Sequence, residues 1–319
     1  MLDQVFKDLA ILQIPMRNRF RGVTIRETAI FRGSHGWSEF GAFTEYNDQE
    51  SSSWLKAALE AANKPWPALF RERVAINATL PIVAPAQVAG ILNRFPGCTT
   101  VKMKVDDFSN GSEVLEEVLN INPDYKIRLD VNAGWDVDTA ISNLLEYHLR
   151  FGNVFDYVEQ PCESLPELAR VKAESPIRIA ADESIRKHLG EDFSQIKLYA
   201  DVAILKWQPV GGFDDAHRIA KEIGLPVVVS SALETGIGIS HGLALAASFE
   251  ELDFACGLGT VALFEDDVCE PAVIPIDGYL EVKRHEPHNH ERYLANSERT
   301  TWWHERILRV WELIERGEK

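Results

Sequence analysis

Five short apolar runs, each with charged or amide side chains at or next to its carboxyl end, constrain this chain more than any other feature. They are Val101–Val105, Ile127–Asn132, Phe155–Glu159, Ile177–Glu183 and Val202–Lys206. Between consecutive runs lies enough chain for one helix, and strand–helix–strand repeated in this way is the pattern of a parallel sheet. When such strands close into a barrel their carboxyl ends meet at one mouth. Lys102, Lys104, Asp130, Glu159, Asp182 and Lys206 then face a single cavity.

The alternation begins at Arg73. Strands are predicted at Val74–Leu80, Thr99–Val105, Lys126–Asn132, Phe155–Glu159, Ile177–Asp182, Val202–Lys206 and Val227–Ser231, with a weak last one at Phe254–Gly257. Helices are predicted at Pro85–Phe95, Ser112–Leu119, Asp136–Arg150 with Asp136 as cap, near Leu165–Ala173, near Phe193, at Phe213–Ile223 and at Ile237–Phe249. The fold class is therefore α/β, a (β/α)7β TIM-like barrel over residues 73–275. Residues 1–72 lack the rhythm and read as an α+β capping domain. It comprises a strand Gly22–Arg32, a turn and second strand within Gly33–Gly41, and a helix Ser51–Ala62 capped by Ser51, Ser52 or Ser53. Pro15–Gly22 is basic and poor in aliphatics and reads as a loop, a candidate lid offering Arg17 or Arg19 to an anion. After about residue 275 a tail (276–319) carries an amphipathic helix, Thr301–Glu315, expected to pack on the cap or the barrel.

A formal net charge of -16 argues against nucleic acid or an anionic membrane as partner. Cys98, Cys162, Cys256 and Cys269 are scattered and read as free thiols. The Met1–Asp8 stretch is acidic too early for a secretory signal, and no run approaches the ~20 apolar residues of a membrane span. A cytoplasmic location is expected. The oligomeric state stays open, a monomer being compatible with everything here. The acidic Glu265-Asp266-Asp267 and the His285, His288, His290 group read as exposed loop charge, since neither has a recognisable ligand frame.

Side chains two apart on a strand share a face, so Lys102 and Lys104 point into the barrel while Val101, Met103 and Val105 point outward. Barrel interiors are normally filled by branched apolar side chains, and unpaired charge there is costly. A lattice of buried ion pairs would explain the six charges one by one. Taken together, three carboxylates on consecutive strands form an oxygen-rich set suited to a hard cation such as Mg²⁺. A cation flanked by Lys104 and, from the opposite side, Lys206 suits abstraction of a proton next to a carboxylate. Ser230, Ser231 and Thr235 follow the seventh strand, where barrels commonly bind anions, and are candidates for a substrate tail.

The motifs Lys102-Met103-Lys104, Asp130-Val131-Asn132, Glu159-Gln160-Pro161, Asp182-Glu183-Ser184 and Leu205-Lys206 resemble those of the enolase superfamily, muconate-lactonising subgroup. The pairing of a Lys base with Mg²⁺ in that superfamily is a known pattern. The resemblance extends over nearly the whole chain. It implies that Asp130, Glu159 and Asp182 bind one Mg²⁺, with Mn²⁺ as substitute. It implies that Lys104 takes the proton α to a small-molecule carboxylate and returns one to a departing hydroxyl, that Lys206 stabilises the intermediate and that Lys102 acts electrostatically. Asn132 would hold a lysine or the substrate. The implied outcome is a syn dehydration of a succinyl-bearing hydroxycyclohexadiene carboxylate. Racemisation of N-succinylamino acids or epimerisation of dipeptides on the same site is the first alternative. The absence of an Asp-x-Asp in Cys256–Gly259 weighs against the dipeptide version. A Schiff-base aldolase using Lys206 and a non-catalytic binding barrel are the remaining ones.

Overall fold

The computed structural model describes residues 5–190 and 192–317, so the first four residues of the Met1–Asp8 stretch lie outside it. The chain opens with an antiparallel sheet of β1 (Lys7–Phe20), β2 (Val23–Gly33) and β3 (Gly36–Phe40), in that order. The expected loop at Pro15–Gly22 is thus mostly strand. Pro15 hides it in the sequence, yet costs little because β1 lies at the sheet edge. Phe20 pairs with Val23 across a two-residue turn, Arg21 at φ 51 and Gly22 at φ 79. These are the positive angles a type I′ hairpin needs, and its tip reaches over the barrel mouth. Helix α1 spans Asp48–Asn63. Its cap is Asn47, in a reciprocal box with Glu50, rather than one of the predicted serines. Ser51 is instead buried in the first turns.

The parallel sheet follows the chain in order. After a short β4 (Arg73–Ala75) come β5 (Ala78–Leu80), β6 (Thr100–Lys104), β7 (Lys126–Asp130), β8 (Phe155–Glu159), β9 (Ile179–Ala181), β10 (Val202–Leu205) and β11 (Val227–Val229). The predicted first strand is therefore broken at Ile76-Asn77, whose backbone turns to meet Cys256. That residue and Gly257 close the barrel. Cys256 N donates to Ala75 O at 2.7 Å and Gly257 N to Val229 O at 2.9 Å, so the two edges of the sheet share one connecting segment. The weak eighth strand at Phe254–Gly257 is reduced to these two bridges.

Between the strands run α2 (Val88–Leu92), α3 (Phe108–Ile121), α4 (Val137–Phe151), α5 (Leu165–Glu174), α6 (Glu183–Arg186), α7 (Phe213–Ile223) and α8 (Gly236–Ala247). Asp136 caps α4 as expected, through the amide of Thr139. Near Phe193 the predicted helix is a 3-10 segment, Phe193–Leu198. The outward side chains Val101, Met103, Leu129 and Val158 join the main core. Inside the barrel, Tyr157, Ala180, Val202, Ile204 and Val228 form a separate apolar plug. Arg128 lies beneath the charged layer, its guanidinium 4.9 Å from the Tyr157 ring and paired with Asp156 at 3.0 Å. The floor of the cavity is thus sealed.

A last strand, β12 (Tyr279–Glu281), pairs with β4, and helix α9 runs Ser297–Arg316. It starts four residues earlier than the apolar pattern suggested because Asn296 caps it through Arg299 N. Trp303, Ile307 and Val310 are buried on one face of α9. Buried Arg306 donates to the carbonyls of Ala42, Phe43 and Tyr46 and to Ser51 Oγ. Helix α9 therefore fastens the segment between β3 and α1. All four cysteines are free and buried, and burial pushes the Cys98 thiol up to about 12. No helix among the described residues is long and apolar enough to cross a membrane.

Candidate active site

The mouth of the barrel and the cap enclose one cavity. Lys102, Lys104, Asp130, Asn132, Lys206, Ser230 and Ser231 line it from the barrel, and Phe20, Arg21, Phe43, Tyr46 and Trp54 from the cap. Alternation along β6 brings both lysines inward, and the parallel register sets Lys104 beside Asp130 and Asp130 beside Glu159. Lys102 Nζ lies 2.7 and 2.6 Å from the two oxygens of Glu159 and 3.0 Å from Asp130 Oδ2. Lys104 Nζ lies 3.1 Å from Asp130 Oδ2 and also donates to Asn132 Oδ1. Asn132 reaches back because β7 ends at Asp130 and its own φ is 50. Across the cavity Lys206 Nζ donates to Asp182 Oδ2 at 2.6 Å. The Lys104 ammonium carbon chain meets the cap at Phe20, with Nζ 5.0 Å from the ring centre.

The electrostatics are those of a dense alternating layer. Burial works to raise the Asp130 carboxyl, but Lys102, Lys104 and Lys206 outweigh it and hold it below the usual range. Asp182 is likewise lowered, burial being overcome by Lys206 and Arg186. Burial opposes charge on Lys102, yet Asp130 and Glu159 prevail and keep it an ammonium ion. Glu159, with neighbouring carboxylates on both sides, is pushed up by burial in spite of Lys102.

Each carboxylate is turned toward a lysine, and among the described residues no three acid, His or Cys side chains form a ready-made cage. Two buried acceptors are nonetheless unspent. Asp130 Oδ1 and, at the same rim, Glu183 Oε2 have no hydrogen-bond partner, and Asp182 Oδ1 has none beyond a 3.4 Å ion pair with Arg186 Nε. Buried carboxylate oxygens are rarely left so, and a hard cation is the partner their chemistry suits. The oxygen chemistry of Asp130 and Asp182 fits a divalent ion, while both oxygens of Glu159 are held by Lys102.

Other expected positions fall elsewhere. Arg17 lines a separate cleft with Arg94 and donates to Glu265 O at 2.5 Å. Arg19 folds back onto Gly22 O in its own hairpin. Thr235 does not line the cavity. It caps α8, and its amide and hydroxyl donate to Glu39 Oε2 at 3.0 and 2.6 Å. Gly238 N adds a third bond to Glu39, and Gly236 N donates to Asp267 at 2.9 Å. A Cβ on Gly238 would sit 2.8 Å from Glu39 Oε2, so glycine there lets the carboxylate approach. The N-terminus of α8 is therefore satisfied by the protein's own acids. Asp267, read as exposed charge, is buried for this reason. Sequence reasoning missed Arg21, Tyr46, Glu183 and Arg186 as cavity residues. The last two stand three apart on one helix turn, Arg186 Nη2 donating to Glu183 Oε1 at 2.6 Å, a spacing that signals a pair.

Two family models match the chain, one described as enolase N-terminal domain-like over residues 11–62 and one as enolase C-terminal domain-like over residues 87–287. The chain belongs to the enolase superfamily. The o-succinylbenzoate synthase of Mycolicibacterium smegmatis is 43% identical over 321 residues, covering 98% of each chain. That of Thermobifida fusca is 43% identical over 95% of this chain and 96% of its own. Within the superfamily the chain falls with these o-succinylbenzoate synthases. Solved structures share the fold at lower identity. The L-Ala-D/L-Glu epimerase of Bacillus subtilis has a TM-score of 0.73 and 20% identity, covering 88% of this chain and 96% of that one. A muconate lactonizing enzyme from Pseudomonas fluorescens has a TM-score of 0.72 and 18% identity, over 92% and 97%.

Proposed function

We propose that this chain is an o-succinylbenzoate synthase, a lyase of menaquinone biosynthesis. It removes water from 2-succinyl-6-hydroxy-2,4-cyclohexadiene-1-carboxylate to give 2-succinylbenzoate. The observation that carries the reading is the pair Lys104 and Lys206 lining one cavity, with Lys104 Nζ 3.1 Å from Asp130 and Lys206 Nζ 2.6 Å from Asp182. The identity to named synthases over nearly the whole chain supports it.

Asp130, Glu159 and Asp182 are the side chains that would hold Mg²⁺. When bound, the ion supplies a positive centre for the substrate carboxylate, favouring loss of the adjacent proton. Lys104, as the amine, takes that proton from C1. Its ammonium then delivers a proton to the hydroxyl leaving C6, on the same face, so water departs and the ring becomes aromatic. Asn132, bonded to Lys104, keeps Nζ oriented. Lys206 opposes the ring from the other face and stabilises the negative charge spread over it. Lys102, locked onto Glu159 and Asp130, acts through its charge. Ser230 and Ser231 form the polar wall against the substrate.

The domain division that goes with this reading is a cap over 1–72, a barrel over 73–275 and a tail packed back on them. The cytoplasm is the compartment of action. The test is to supply the cyclohexadiene acid with and without Mg²⁺ and follow the aromatic product by absorbance. Metal-dependent aromatisation is expected. Exchange of the α-proton with deuterium without water loss would replace this reading with racemisation.

A further inference from the structure

We infer that Arg21 and Arg186, meeting at the Tyr46 hydroxyl, are the seat of the substrate's second carboxylate, a specificity site shared between cap and barrel. This rests on the synthase reading above, in which the substrate carries two carboxylates.

Arg21 Nη2 donates to Tyr46 Oη at 2.6 Å from the hairpin tip, and Arg186 Nη1 donates to the same oxygen at 3.1 Å from α6. A phenol oxygen has two lone pairs, and both are taken by cationic donors. Its own O–H must therefore point elsewhere, adding a third donor at one spot. Arg21 has Glu45 at 3.7 Å and Arg186 has Glu183 at 2.6 Å and Asp182 at 3.4 Å, but the neutral Tyr46 oxygen where the two guanidinium groups meet does not pair their facing N–H edges. A carboxylate between them would, with the bidentate geometry arginine offers. The groups are held ready for it. Arg21 lies over the Phe43 ring at 4.1 Å, and Arg186 is anchored by Glu183 at 2.6 Å. Both arginines line the same cavity as Lys104 and Lys206.

The competing anion site is already spent. Helix α8 begins beside the cavity, where an anion would ordinarily find free amides. Here the amides of Thr235, Gly236 and Gly238 serve Glu39 and Asp267. A substrate tail ending in carboxylate has its cationic partners on the cap side instead.

The test compares the natural diacid with its analogue esterified at the succinyl terminus, using wild type, Arg21→Met and Arg21→Lys. Wild type should favour the diacid by about 10- to 100-fold in kcat/KM, the range for losing a hydrogen bond to a charged group. Arg21→Met should lose that preference through KM on the diacid, with a smaller loss on the ester. Arg21→Lys should recover part of it, which a misfolded variant would not. Equal loss on both substrates, or no loss on either, overturns the inference while the synthase reading stands. Absence of aromatic product from wild type with either substrate overturns both.

Discussion

Substituting Glu39 by alanine should do more damage than a change on a cap strand ordinarily would. Its carboxylate is fully buried and accepts from Thr28 Oγ1, Thr235 Oγ1 and the amides of Thr235 and Gly238. Thr28 keeps a second acceptor, the carbonyl of Phe40. Three donors at the start of α8 would be orphaned in the interior, at about 1–3 kcal/mol each. Part is returned, because Glu39 itself is costly to bury and its carboxyl is raised for that reason. The net expectation for Glu39→Ala is about 3–5 kcal/mol, and about half that for Glu39→Gln, which keeps the shape and one acceptor. Urea unfolding at neutral pH gives the number from the shift in midpoint at constant m. The 230–235 segment also forms the cavity wall, and Arg26 reaches across to Leu233 O at 2.9 Å. KM for the diacid should therefore rise in Glu39→Gln, the more stable variant. A Glu39→Ala protein within about 1 kcal/mol of wild type would refute the idea that this carboxylate joins cap to barrel.

Other expectations follow from the same geometry. Lys104→Ala and Lys206→Ala should each lower kcat by about 10²–10⁴-fold while the protein still folds, as checked by circular dichroism; a variant with near-normal turnover removes that lysine from the chemistry. EDTA should abolish turnover and Mg²⁺ restore it, and persistence of activity after dialysis against chelator counts against the proposed carboxylate ligands. Burial, and then Glu39, pushes Glu234 up to about 7. Between its ordinary value and about 7 the folded protein keeps a proton that the unfolded chain has lost. Stability from this group is thus full at low pH and declines as pH rises to about 7, by roughly 3 kcal/mol at most. Unfolding free energies at pH 5 and pH 8 should differ less in Glu234→Gln than in wild type; matching differences would refute this. Trp303→Ala should cost about 3–5 kcal/mol in urea unfolding, since the indole is fully buried and bonds Glu27 at 2.9 Å; a loss below about 1 kcal/mol would mean α9 is a loosely attached tail.

The barrel was legible because its strands are parallel and buried on both faces. Val101, Met103 and Leu129 mark the outer layer, and the inward Lys102 and Lys104 stand out against it. The cap was harder to read. β1 contains Pro15 and a basic stretch through Arg21, and its pairing is set by β2 rather than by its own composition. Arg21 reaches the cavity through a hairpin turn, whereas Arg17, four residues earlier, leaves in another direction. Periodicity cannot distinguish them. Thr235 was misjudged for a related reason: Glu39 lies far away in the chain, and only the packed cap brings it to the α8 terminus.

The grip of Arg306 on Ala42, Phe43 and Tyr46 has a bearing on synthesis. Strands β1 to β3 leave the ribosome before the barrel strands, while the helix that clasps them follows every parallel strand. A nascent chain can thus assemble its barrel early but must wait for α9 before Tyr46 is braced above the mouth. Competence for catalysis should therefore appear late and abruptly during translation.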